Sequence, residues 1–121
     1  MVNDQKGSDL SKRTKQFALC IIRVYGSLAE DTVSQAIGKQ MLRSGTSVGA
    51  HYREATRARS TKEFISKIEG GLQELDGTLY WLELLIEGEI IPASRLDDLM
   101  NEADELLAIL TASAKTAKKH T

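Results

Sequence analysis

From Ile65 to Ile86 the chain places Ile65, Ile68, Leu72, Leu75, Leu79, Leu82 and Ile86 at intervals of three and four. That spacing lines one side of an α-helix with branched aliphatics. Ser60-Thr61-Lys62-Glu63 stands just before it. There the serine can cap a free backbone N–H, and the glutamate can reach back to the cap's own N–H. Gly88 supplies a stop, so the spacing predicts a helix over about 60–88, roughly 43 Å long at 1.5 Å per residue.

Three further segments repeat the pattern. Leu10, Thr14, Phe17, Ile21, Val24 and Leu28 alternate four and three before Gly26-Ser27 closes the run, which predicts a helix over about 9–28. Pro92 suits a first helical turn, where its missing N–H costs nothing. Leu96, Leu99, Ala103, Leu106 and Leu110 follow it, giving a helix over about 92–114. The remaining helix, about 32–57, is capped by Thr32-Val33-Ser34-Gln35 and has an inner line of Val33, Ile37, Met41, Ser44, Val48, Tyr52 and Ala55. A single proline and few β-branched runs agree with an all-α chain. Short connections favour antiparallel neighbours, so the expected fold is one domain over residues 1–121, an antiparallel up-down-up-down four-helix bundle. A long coiled-coil hairpin is the alternative, since heptads alone do not set strand number.

Gly38, Gly45 and Gly49 each weaken an isolated helix by about 1 kcal/mol relative to alanine, which calls for a structural reason. Gly45 and Gly49, four apart with Ser44 and Ser47 nearby, make a surface that admits a neighbouring helix closely; a ligand-binding hollow is the alternative. On the third helix, Gly70 and Gly77 lie opposite the Ile/Leu seam, and Tyr80, Trp81, Leu84 and Leu85 make its far side apolar near the end. A four-helix monomer covers only an inward stripe, so these four residues form a candidate oligomer interface. The alternative is that the first helix or the N-terminal arm covers them.

Charge is strongly divided. Residues 1–67 carry 12 Lys/Arg against 6 Asp/Glu, residues 68–110 carry 1 against 11, and the tail from 111 adds three positive charges. Such separation can steer an anion, dock one subunit on another, or be consumed by salt bridges within the bundle. Arg53 and Arg57 stand four apart, which places like charges side by side unless an anion answers them. Arg59, Lys62 and Lys67 extend this basic corner, while Glu54 and Glu63 can neutralise part of it. His51 and Tyr52 could stack on bases beside it.

Catalytic patterns are missing. His51 and His120 are the only histidines, Cys20 is the only cysteine and reads as a core thiol, and no H-E-x-x-H, E-x-x-H or C-x-x-C occurs. No metal or other cofactor is expected. A G-x-x-x-x-G-K-[ST] phosphate loop is absent, and Gly45 to Gly49 falls within a helical pattern whose N–H groups are engaged. Asp97, Asp98, Glu102, Asp104 and Glu105 read as an exposed face rather than as paired catalytic carboxylates. A non-enzymatic protein is expected. With no early apolar segment and no run near the roughly 20 residues a bilayer requires, the expected location is the cytoplasm.

The string Arg43-Ser44-Gly45-Thr46-Ser47-Val48-Gly49-Ala50, followed by Arg53-Glu54-Ala55 and Ser60-x-x-Glu63-Phe64-Ile65, resembles the four-helix-bundle family named for the 23S rRNA intervening-sequence protein. Glu74 leading into Tyr80-Trp81-Leu82-Glu83-Leu84-Leu85 resembles it too, and the match covers roughly residues 15–110. The resemblance implies a homopentameric ring of up-down bundles. It also implies RNA or DNA binding, by likeness to a basic accessory protein of diversity-generating retroelements. The family commonly has asparagine where this chain has His51.

Two functional expectations follow. In the first, a homo-oligomer presents Arg53, Arg57, Arg59 and Lys62 to nucleic acid, chiefly through phosphates and with little sequence choice. In the second, the acidic part of the last two helices and the Tyr80-Trp81 patch hold subunits or a protein partner, and no nucleic acid is bound.

Overall fold

A computed structural model describes residues 4–120, with side chains from residue 9 onward. Four helices follow one another: α1 (Asp4–Gly26), α2 (Thr32–Thr56), α3 (Thr61–Glu87) and α4 (Ala93–Lys118). No strand occurs among the described residues. Each helix packs on its neighbours in sequence and α1 also meets α4, while among the described residues the diagonal pairs bring no backbone close together. The four therefore close a ring whose thinnest edge lies between α1 and α4. There Arg13 spans the gap, donating from Nε and Nη2 to the two carboxylate oxygens of Glu102 at 3.0 and 2.6 Å. Its Nη2 also reaches Glu105 at 3.3 Å. The hydrogen bond to Glu102 raises the guanidinium's pKa above its ordinary value. Glu102 is thus half-buried and engaged, where the sequence places it on a free acidic face.

The interior follows the expected line on α4, where Leu96, Leu99, Ala103, Leu106 and Leu110 are buried. It follows most of the line on α1, where Leu10, Thr14, Phe17 and Ile21 are buried, Val24 is half-buried, and Leu28 is buried just past the helix end. Each fully buried leucine or isoleucine contributes roughly 1.5–3 kcal/mol over leaving it in water. Cys20 is only half-buried, not the core thiol its apolar run suggests. On α3 the buried line is Ile68, Gly71, Leu75, Thr78, Leu82 and Leu85, whereas Ile65, Leu72, Leu79 and Ile86 are half-buried. The helix is turned by a fraction of a turn from the seam that its aliphatics alone would choose.

Small residues explain the turn. Gly71 lies against Val48 and His51 of α2, and Thr78 donates to Ser44 Oγ at 2.8 Å. Thr78 Oγ1 also lies 2.7 Å from the Glu74 carbonyl, and Ser44 Oγ lies 3.3 Å from the Met41 carbonyl, so neither buried hydroxyl is left without a partner. Facing α3 with these two residues lets the helices approach more closely than leucine against leucine. On the other side of α2, a Cβ on Gly38 would stand 2.5 Å from Leu28 Cδ1, and one on Gly45 would stand 2.8 Å from Ile21 Cγ1. A Cβ on Gly49 would meet the Thr14 carbonyl at 3.4 Å. Contacts on α1 thus descend as those on α2 ascend.

α2 and α3 end within one residue of expectation, whereas α1 starts five residues earlier and stops two earlier than expected, and α4 runs four residues further. Asp31, not Thr32, caps α2, accepting the Ser34 N–H at 2.9 Å and the Ser34 hydroxyl at 2.8 Å. The Ser34 backbone bond, first among these, lowers the carboxylate's pKa. Pro92 is the N-cap of α4 rather than part of its first turn. Gly88 does not supply the left-handed stop of α3. Glu89 does, at φ 59°, with Ile90 N–H bonded to the Leu85 carbonyl and Glu89 N–H to the Ile86 carbonyl. That double bond pattern ties off the last carbonyls of the helix and normally employs glycine at the left-handed position.

Substitution of the glycines distinguishes close approach from mere tolerance. Gly45→Ala is expected to lower unfolding free energy by about 1–3 kcal/mol, because Ile21 must move. Gly77→Ala, where nothing lies within 4 Å, is expected to raise it by up to about 1 kcal/mol. Urea titration of both variants measures the contrast; equal effects would mean that the α1–α2 approach is not constrained at Gly45.

Candidate nucleic-acid interface

Where α2 hands over to α3, the chain breaks for four residues, 57–60, and Ser60 restarts it. Ser60 Oγ accepts the Glu63 N–H at 3.0 Å. Glu63 in turn reaches the N–H of Arg59 at 3.4 Å, one residue before the cap's own N–H expected from the sequence. The carboxylate is therefore engaged with backbone and forms no ion pair with Arg59 or Lys62.

All four basic candidates, Arg53, Arg57, Arg59 and Lys62, are exposed, and none carries an ion pair among the described residues. Arg53 follows Gly49 by one turn, in the last turn of α2. Arg57 lies past the end of the helix as its C-cap. Arg59 sits in the connection and Lys62 on the first turn of α3. All four fall at the end where α2 hands over to α3. Glu54 neutralises part of the corner as expected, standing 3.6 Å from Lys67 Nζ, and lies 3.2 Å from His51 Nδ1; it does not pair with the four candidates. Further along, Arg43 donates to both oxygens of Glu74 at 2.9 and 3.2 Å, and the hydrogen bond raises its pKa. Lys118 pairs with Glu69 at 2.8 Å.

The two proposed aromatic partners separate. Tyr52 is 4% exposed and belongs to the core, and burial pushes its phenol pKa up, so it cannot stack on a base. His51 is half-buried and lies against Gly70, where an added Cβ would stand 3.1 Å from the imidazole. That pairing depends on the α2–α3 register, which neither local segment discloses.

The candidate oligomer patch divides similarly. Leu85 is fully buried within the single chain and offers no surface to a partner, contrary to the sequence expectation: the turn of α3 that faces Thr78 inward carries Leu85, seven residues on, inward with it. Trp81 and Leu84 are half-buried, and Tyr80 is 54% exposed with its ring edge against Trp81 at a centroid separation of 5.1 Å. Val33, Leu19 and Ile22 are also exposed, a signal that the inner-line reading of Val33 missed. α1 does not cover Tyr80, and residues 1–3 of the N-terminal arm lie outside the described residues. Among the described residues no group of three or more His, Cys, Asp or Glu could hold a metal ion, and no helix is long and apolar enough to cross a membrane.

With the four helices and the α2–α3 junction in place, the family model described as 23S rRNA-intervening sequence protein matches residues 6–112. The chain belongs to that family. A crystal structure described as a protein of unknown function from the S23 ribosomal protein family of Bacteroides thetaiotaomicron is 36% identical. It aligns over 91% of this chain and 98% of that one, with a TM-score of 0.85. No curated protein matches. Within the 23S rRNA-intervening sequence family, then, this member places four unpaired cations at the α2–α3 junction.

Ser60→Ala is expected to remove about 1 kcal/mol of stability and to fray the first turn of α3, which carries Lys62. Amide exchange at Thr61 to Phe64 reads this directly; unchanged protection there would show that the cap does not hold the junction.

Proposed function

We propose that this protein is a non-enzymatic homo-oligomer, a ring of antiparallel up-down bundles, that binds nucleic acid through the phosphates along its α2–α3 end. The observation that carries the reading is the set Arg53, Arg57, Arg59 and Lys62, exposed and unpaired while the nearby acids Glu54 and Glu63 are engaged elsewhere. A cation with no internal partner is free to displace counterions from a phosphate chain, which gives affinity without sequence choice. The opposed order of contacts between α1 and α2 supports the antiparallel arrangement. Family membership supports the association with ribosomal RNA genes.

A second reading, a protein-interaction scaffold without nucleic acid, is favoured by one observation: exposed Tyr80 beside half-buried Trp81 and Leu84. A single bundle leaves these apolar groups partly in water, and a second protein surface would cover them.

Labelled RNA and DNA titrated at two salt concentrations separate these readings. If four phosphates are neutralised, affinity is expected to fall roughly a hundredfold between about 50 and 200 mM salt. Arg53→Glu with Arg57→Glu is expected to abolish binding; no association at low salt would reject the first reading. Light scattering is expected to find several subunits per particle, dispersed by Trp81→Glu. A wild-type monomer at micromolar concentration would reject the assembly in both readings.

A further inference from the structure

Beside the basic junction, the outer surface between α2 and α3 is hollowed into a groove lined by His51, Lys62, Ile65, Ser66, Lys67, Glu69, Gly70 and Gln73. Its floor exists because Gly70 has no side chain. A Cβ there would stand 3.1 Å from the Cε1 and Nδ1 atoms of His51, so any larger residue would displace the ring. The His51 Nδ1 is shut off from solvent and makes no hydrogen bond; Glu54 Oε1 stands 3.2 Å away without a hydrogen-bonding angle. His51 is nonetheless part of the groove's lining, its side chain 30% exposed. Ser66, one turn before Gly70, is small and exposed and leaves the groove open to solvent.

The charges around it are unequal in availability. Glu69 is held by Lys118 at 2.8 Å, and Lys67 stands 3.6 Å from Glu54. Lys62 has no ion pair among the described residues, so it is the cation free to meet an incoming phosphate. Ile65 offers an apolar wall, Gln73 an amide with both donor and acceptor, and His51 a flat ring. These are the components that hold an unstacked base: a planar group, a polar edge reader and a cation for the adjoining phosphate.

We propose that the His51–Gly70 groove takes one unstacked nucleotide of a single-stranded nucleic acid, with its base against the imidazole and its phosphate at Lys62. This rests on the nucleic-acid reading above and adds a preference that phosphate contacts alone do not supply. A duplex keeps its bases stacked and paired, so it can use Arg53, Arg57 and Arg59 but cannot fill the groove.

A short labelled RNA single strand and a blunt RNA duplex of the same length, titrated at low salt against wild-type protein, test the preference. Wild type is expected to bind the single strand more tightly. His51→Ala is expected to weaken single-strand binding roughly tenfold, the effect of one lost stacked base, and to leave duplex binding unchanged. Ser66→Leu, an exposed substitution that fills the groove without touching the core, is expected to do the same and decides the matter should His51→Ala misfold. Equal wild-type affinity for both RNAs, or single-strand binding that neither substitution weakens, overturns the groove while leaving the phosphate reading intact. Failure of wild type to bind either RNA overturns both.

Discussion

Helix α2 meets its neighbours on both sides through residues that carry little or no side chain, and the rest of the bundle is arranged around that approach. Toward α1 it presents Gly38, Gly45 and Gly49; toward α3 it presents Ser44, with Gly70 and Gly71 opposite on α3 itself. A glycine in a helix costs about 1 kcal/mol of propensity, so three in one helix are sustained only by what the closer packing returns. Once α2 is pressed into place, Thr78 must turn inward to meet Ser44. That rotation carries Leu85 into the core and leaves Leu72, Leu79 and Ile86 half-buried. The ring is then closed at its thinnest edge by Arg13 and its two carboxylate partners, a half-exposed network that orients α1 and α4 more than it stabilises them.

The same packing positions the functional end. α2 and α3 share a close seam and the chain turns from one to the other in four residues, so Arg53, Arg57, Arg59 and Lys62 all fall within that one junction. The acids that might have silenced them are drawn off by geometry: Glu63 toward the Arg59 backbone, Glu54 toward Lys67 and His51. Hydrogen bonding to a backbone N–H at a helix start is a favourable use of a carboxylate, since it meets both an unsatisfied donor and the positive end of the helix dipole. Cations without internal partners are the outcome.

How much of this the sequence discloses depends on whether a signal is local. The Leu96-to-Leu110 line, the Ser60 cap and four helices in all are legible because each follows from spacing or from a residue three positions away. The α3 seam is misplaced because aliphatic periodicity ranks Leu79 above Thr78, and only the partner Ser44, 34 residues earlier, reverses that order. The stop at Glu89 is hidden for a related reason: glycine is the usual left-handed residue, and here it stands one position too early. In the candidate site, exposure of the four cations follows from their charge. Tyr52 entering the core, and His51 settling over Gly70, depend on helix register and cannot be read from either segment alone.

Contact between Gly45 and Ile21 sets how near α2 stands to α1, and a thermodynamic cycle on the two positions measures it. Unfolding free energies of Gly45→Ala, Ile21→Ala and the double variant give the coupling between the two positions. If the missing Cβ is what admits Ile21, shortening Ile21 makes room for alanine, and the double variant is less destabilised than the sum of the singles by more than about 1 kcal/mol. Effects that add within about 0.5 kcal/mol would mean that Gly45 and Ile21 do not share one space, because two side chains competing for it cannot act independently.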